Sequence, residues 1–121
     1  MAKIMLVDDA AFMRTHIRNI LKYNGYRDFV EAGDGVEAVE KYIQEKPDVV
    51  ILDITMPHKD GLQALREIMA ADAGARILMC TAMGQEGIMA EAIQNGARDF
   101  IVKPFDPERM VQAVNAVFEE Q

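Results

Sequence analysis

The stretch Val49-Val50-Ile51-Leu52-Asp53 sets four large apolar residues in a row and stops on an acid. A short run without alternation is the pattern of a parallel strand buried on both faces. Comparable runs lie at residues 4–7, 77–80 and 100–102, and residues 28–32 form a weaker fifth member. Between the runs the apolar spacing becomes helical. Met13, Ile17, Ile20 and Leu21 make one stripe, then Val36, Val39 and Ile43, then Leu62, Leu65, Ile68 and Met69, then Met89 and Ile93. Met110, Val111, Val114, Val117 and Phe118 close the series. Each set fits the i, i+3, i+4, i+7 stripe of an amphipathic helix. Gly25, Gly61 and Gly96 fall near segment boundaries, Pro47 precedes the run at 49, and Pro104 and Pro107 precede the last stripe. Five strand–helix repeats predict an α/β fold: a doubly wound, five-stranded parallel sheet flanked by five helices and joined by right-handed crossovers.

Composition narrows the function classes. The chain has 121 residues, half of them apolar, which suits one domain with a core of its own. The last stripe runs almost to Gln121, so the expectation is a single domain over 1–121 with no output domain. Thirteen Lys and Arg against twenty Asp and Glu leave a net charge of −7. An acidic surface is poorly suited to nucleic acid, whose phosphates call for cations, or to an anionic membrane. No apolar run approaches the roughly 20 residues of a membrane span. The N-terminal apolar run ends in two acids and lacks the length of a signal peptide. A lone cysteine, Cys80, forbids an internal disulfide. The expected location is the cytoplasm.

Ligands of open α/β sheets bind at the carboxyl ends of the strands. After residues 4–7 come Asp8 and Asp9; after 49–52 comes Asp53; after 77–80 comes Thr81; after 100–102 comes Lys103. The run at 28–32 ends in Ala32 and Gly33 and offers nothing comparable. In a 2-1-3-4-5 strand order the first and third strands are neighbours, which brings Asp8, Asp9 and Asp53 together. Two carboxylates about 4 Å apart repel by on the order of 4 kcal/mol at an effective dielectric near 20. Three are tolerable only with a cation nearby or a retained proton. Lys103 supplies one positive charge. Carboxylates without His or Cys, with positions left for water and phosphate, point to Mg²⁺ for the rest. A carboxylate beside Mg²⁺ can attack phosphorus and form an acyl phosphate, with Lys103 neutralising the transferring oxygens and the Thr81 hydroxyl donating to one of them.

Each of these residues also has a plainer explanation. Asp8 and Asp9 are residues that cap helices, Thr81 suits a turn, and Lys103 before Pro104 suits a solvated loop. Only the set as a whole favours chemistry. The nine methionines fall mostly on stripes or runs and read as core filling. His16 and His58 read as surface residues, and Cys80 as an inert core thiol. Gly33-Asp34-Gly35 lacks the Lys and following Ser or Thr of a phosphate-binding loop.

The ordered set Val7-Asp8-Asp9, Asp53-Ile54-Thr55-Met56-Pro57 with Asp60-Gly61, Thr81-Ala82 and Lys103-Pro104-Phe105 resembles the receiver domain of two-component response regulators. The stretches at residues 8–14 and 81–85 look most like stand-alone chemotaxis members. The resemblance covers essentially the whole chain. It implies a flavodoxin-like sheet of order 2-1-3-4-5 and makes Asp53 the phosphoacceptor. Asp8, Asp9, Asp53 and the backbone carbonyl of Thr55 become Mg²⁺ ligands. Lys103 pairs with the phosphoryl group, Thr81 moves toward it and draws the following loop inward, Phe100 turns inward on activation, and the Lys103–Pro104 peptide is cis.

The implied partners are a histidine kinase of the chemotaxis type, a flagellar or archaellar motor switch protein and a phosphatase. The motor component would dock on a face of the fourth helix, fifth strand and fifth helix near Ile88, Met89, Phe100 and Ala113. Such a protein is a monomeric signalling switch, which catalyses only its own phosphotransfer and slow autodephosphorylation, rather than an enzyme. A phosphorelay intermediate that hands its phosphoryl group to a second histidine protein is the nearest alternative. An aspartyl-phosphate phosphatase shares the nucleophile but carries it after the first strand within Asp-x-Asp, and a flavodoxin shares the fold but would repel FMN phosphate with three acids.

Overall fold

A computed structural model describes residues 2–56, 58–82 and 86–119. Strands and helices alternate through the chain: β1 (Lys3–Val7), α1 (Ala11–Tyr23), β2 (Asp28–Ala32), α2 (Gly35–Glu45), β3 (Val49–Asp53), α3 (Gly61–Ala71), β4 (Ile77–Ala82), α4 (Glu86–Gln94), β5 (Asp99–Lys103) and α5 (Pro107–Glu119). All strand pairs are parallel, in the order β2-β1-β3-β4-β5. The fold class and strand order therefore agree with expectation. Thr81 and Lys103 lie within the ends of β4 and β5 rather than just beyond them.

Two cores sandwich the sheet because successive strand side chains point to opposite faces. Met5, Val7, Val50, Leu52, Ile77 and Met79 pack against α2 and α3 and against Ala92 of α4. Ile4, Leu6, Val49, Ile51, Leu78 and Cys80 pack against Ile17 and Leu21 of α1 and Met110, Ala113, Val114 and Val117 of α5. Every side chain of β3 is buried, hence the unbroken apolar run. The edge strands β2 and β5 are only partly covered, so their apolar signal is weaker.

Two helices present a different face from the one their apolar residues suggest. In α2 the buried residues are Gly35, Ala38 and Tyr42, while Val36 and Ile43 are exposed. The cause is close packing at the start of the helix, where a Cβ on Gly35 would sit 2.2 Å from the Lys59 carbonyl oxygen. In α4 Met89 and Ala92 are buried and Ile93 is exposed.

Candidate functional site

The strand register lines up the polar residues. Val7 is level with Leu52, so the next residues, Asp8 and Asp53, emerge side by side. Asp53 is level with Cys80, one residue before Thr81, and Lys103 is level with Ala82. Asp8, Asp9 and Asp53 each offer a carboxylate oxygen, and these atoms lie within 4.8 Å of one another. Asp8 and Asp53 are 3% and 7% exposed and Thr81 is fully buried, while Asp9 faces solvent.

Asp8 is held at every polar atom. Its N–H donates to the Ala32 carbonyl (3.2 Å), and its own carbonyl accepts from Arg14 Nη1 (2.5 Å). Oδ1 accepts from the Ala10 N–H (2.9 Å) and Oδ2 from Lys103 Nζ (2.9 Å). The helix-cap explanation fails for both acids. Ala10 stands at the N-cap of α1, and no side chain caps that helix. Lys103 Nζ also lies 3.5 Å from Asp53 Oδ1.

Burial raises the Asp53 pKa and the neighbouring Asp8 charge adds to the rise; Lys103 and the Thr55 backbone N–H act against it. Burial by itself would lower Lys103, but its hydrogen bond to Asp8 and the charge on Asp53 outweigh that, and its pKa is raised. One ammonium, in contact with Asp8 and Asp53, thus stands beside a cluster of three carboxylates. The donor set is all oxygen, anionic and partly open, and it fits a hard divalent cation such as Mg²⁺.

Backbone packing supports Asp53 from below. Asp60 caps α3 by accepting from the Gln63 N–H (2.9 Å), and the Gly61 N–H donates to the Ile54 carbonyl (2.7 Å). A Cβ on Gly61 would sit 1.9 Å from the Asp53 carbonyl oxygen, so only glycine fits there.

Thr81 Oγ1 donates a long hydrogen bond to the Ala82 carbonyl (3.4 Å). Phe100 is half-buried against the α2–α3 core. The Lys103–Pro104 peptide is cis. Pro57 and residues 83–85, which complete two of the sequence motifs and include the loop after Thr81, lie outside the described residues. Of the four residues expected on the docking face, Ile88 and Phe100 are half-buried, but Met89 and Ala113 are buried beneath their helices and present no surface.

His16 is exposed and stacks on Phe105, with ring centroids 5.9 Å apart, and His58 is exposed. Burial pushes the Cys80 thiol up to about 12, which makes it inert. Gly33-Asp34-Gly35 opens α2, with Asp34 accepting from the Glu37 N–H as its cap. A groove of about 500 Å³, lined in part by Tyr42, Lys46, Asp48, Asp72 and Arg76, lies at the opposite end of the sheet. Its acids are engaged: Asp48 accepts from the Lys3 N–H, and Asp72 accepts from the Tyr42 hydroxyl and the Gly74 N–H.

Sequence reading missed Arg14. A helix arginine that meets a strand glutamate and a loop carbonyl leaves no periodic signal, because the meeting depends on how β2 pairs with β1.

The sheet is doubly wound and parallel, with clustered acids, a lysine and a threonine at its carboxyl edge, an arrangement found in receiver domains. Residues 4–115 match the response regulator receiver domain, and the chain belongs to that family. It is similar to chemotaxis protein CheY of Listeria monocytogenes, with 54% identity over 114 residues covering 94% of this chain and 96% of that protein. Its identity to CheY of Bacillus subtilis is 55% over 113 residues, covering 93% and 94%. Among solved structures it resembles a chain of the CheX–CheY–BeF3–Mg²⁺ complex from Borrelia burgdorferi, with a TM-score of 0.92, 39% identity and coverage of 97% of this chain and 89% of that one. The chain is thus a receiver domain whose chemotaxis relatives support a role in phosphorylation-dependent signalling. Among the described residues no helix is long and apolar enough to cross a membrane.

Proposed function

We propose that the chain is a phosphorylation switch of the chemotaxis type. One observation carries this reading: the carboxylates of Asp8, Asp9 and Asp53 converge within 4.8 Å beside the Lys103 ammonium. Asp53 is the phosphoacceptor. One of its oxygens attacks the phosphorus of a phosphohistidine on a histidine kinase. The O–P bond forms as the P–N bond breaks, the electron pair stays on the imidazole nitrogen, and that nitrogen takes a proton from solvent.

Asp8, Asp9, Asp53 and the Thr55 carbonyl are the residues that would hold Mg²⁺, which when bound supplies positive charge beside the transferring oxygens. Lys103 has three donors, so it can keep Asp8 while also meeting a phosphoryl oxygen on Asp53. The Thr81 hydroxyl is a second donor. Both engage a phosphorylated Asp53 more than a bare one, which biases a pre-existing equilibrium toward the active arrangement. Phe100 turning inward then alters the surface of α4, β5 and α5 for a motor switch component. Ile88 and Phe100 carry that surface. The Borrelia relative, solved with CheX, BeF3 and Mg²⁺, supports the metal and a CheX-like partner, and a phosphatase that resets the switch belongs to the same scheme. The protein acts as a cytoplasmic monomer.

The test is labelling with a small phosphodonor such as acetyl phosphate. Mg²⁺-dependent acyl phosphate is expected on the wild-type chain and none on Asp53→Asn; equal labelling of the variant overturns the assignment.

A further inference from the structure

Asp9 is the exposed member of the acid cluster, and no hydrogen bond to its carboxylate is seen among the described residues. Its position is therefore set by the chain that leads into it. The Asp8 carbonyl belongs to the planar peptide that joins Asp8 to Asp9, so whatever fixes that oxygen fixes the plane from which Asp9 departs. The group on that oxygen is the Arg14 guanidinium, Nη1 at 2.5 Å. The guanidinium is itself anchored, with Nε donating to Glu31 Oε1 at 2.9 Å. Glu31 is held in turn by Arg18 through its other carboxylate oxygen and by Lys41 Nζ on its carbonyl (2.5 Å). Gly33 lies beside the guanidinium: a Cβ there would meet Nη1 at 3.8 Å, an ordinary van der Waals contact.

We propose that Arg14 is a positioning residue for the metal site, a brace from β2 to the Asp8–Asp9 peptide that keeps the Asp9 carboxylate aimed at Asp53. Glu31 is shared between Arg14 and Arg18 and offsets only part of their charge, so the charge-keeping Arg14→Lys variant is what separates a geometric contribution from an electrostatic one. The brace needs a planar fork whose two nitrogens serve one acceptor on β2 and another just after β1, which lysine cannot provide. The inference rests on the reading of Asp8, Asp9 and Asp53 as a Mg²⁺ site.

The experiment is calorimetric titration of the full chain with MgCl2, paired with thermal unfolding and acetyl-phosphate labelling at saturating MgCl2. Variants are Arg14→Ala, Arg14→Lys, Arg18→Ala and Asp9→Asn. Removing a group that orients a metal ligand typically weakens metal binding about 10- to 100-fold. Both Arg14 variants are expected to fall in that range while keeping near-wild-type labelling once Mg²⁺ saturates. Arg18→Ala loses a Glu31 partner but no contact with Asp8, so it should lower the unfolding temperature and leave the Mg²⁺ Kd unchanged. Wild-type Kd in both Arg14 variants, or an equal loss in Arg18→Ala, overturns the brace. If Asp9→Asn binds Mg²⁺ like the wild type, the metal-site reading itself fails, and the brace with it. Should Arg14→Ala not fold, Arg14→Lys carries the test alone.

Discussion

Lys103 and Asp8 are hydrogen-bonded at 2.9 Å although their strands, β5 and β1, are separated by β3 and β4. The lysine reaches past Asp53, 3.5 Å from its Nζ, to an acid one strand further on. Its raised pKa keeps it charged across the physiological range. Lys103→Ala removes the only cation seen in contact with the cluster's carboxylates among the described residues. It should destabilise the fold by about 1–3 kcal/mol in metal-free buffer, the range for stranding a buried charged partner. Urea unfolding in EDTA reads the deficit. Repeating it with saturating MgCl2 should recover part of the loss, because a bound cation replaces some of the missing charge. A deficit unchanged by Mg²⁺ would argue that Lys103 acts by packing alone.

Asp53 shows the opposite balance. Burial and the Asp8 charge disfavour its ionised form, so at neutral pH without metal its charge works against folding. Asp53→Asn should therefore melt above the wild type in EDTA. MgCl2 should then raise the wild-type midpoint and leave the variant almost still, since a ligand present at 100 times its Kd adds about 2.7 kcal/mol only to a state that binds it. Thermal scans of both proteins, with and without MgCl2, check both halves. An equal Mg²⁺ response in the two proteins would remove Asp53 from the metal site.

Asp60 and Gly61 are adjacent yet should behave very differently. Asp60→Ala loses one cap bond to the Gln63 N–H and should cost about 1 kcal/mol, with Asp53 still labelled. Gly61→Ala forces a Cβ into the Asp53 carbonyl oxygen, 1.9 Å away. Overpacking against backbone should cost about 3 kcal/mol or more and move the acceptor, so labelling should fall even in the molecules that stay folded. Equilibrium unfolding and the acyl-phosphate yield per folded molecule separate the two effects.

How much of this was legible in the sequence depends on what each residue answers to. The strands β1, β3 and β4 were readable because burial on both faces leaves no polar position to interrupt them. Asp8, Asp53, Thr81 and Lys103 stood out because each closes such a run, and parallel pairing makes ends of runs meet. The face of α2 was misread: Val36 and Ile43 fit a stripe, but contact with the Lys59 backbone demands Gly35, and the buried face continues through Ala38 and Tyr42. Met89 and Ala113 lie on the expected docking elements, yet which way each helix turns is set by the sheet beneath it. The Arg14–Glu31 pair depends on Leu6 being level with Glu31 in the β1–β2 register, which one chain's residue order does not express.

Tyr42 carries the last prediction, at the far end of the sheet. Its hydroxyl donates to Asp72 Oδ2 at 2.7 Å, and Asp72 also ends α3 as its C-cap. That hydrogen bond, followed by the one from the Gly74 N–H, lowers the Asp72 pKa. Burial and the same bond raise the Tyr42 pKa. A folded carboxylate with a lowered pKa contributes stability above its unfolded value, near 3.9, and loses it as pH falls through the folded value. A phenol with a raised pKa contributes stability below its unfolded value, near 10, and loses it as pH climbs beyond that. Tyr42→Phe should therefore lower the unfolding midpoint at pH 7 and flatten both limbs of the stability profile, below about pH 4 and above about pH 10. Acyl-phosphate formation on Asp53 should be untouched, because the pair sits at the opposite end of the strands. Chemical denaturation from pH 3 to 11 reads the profile, and limbs as steep in the variant as in the wild type would show that the pair does not set them.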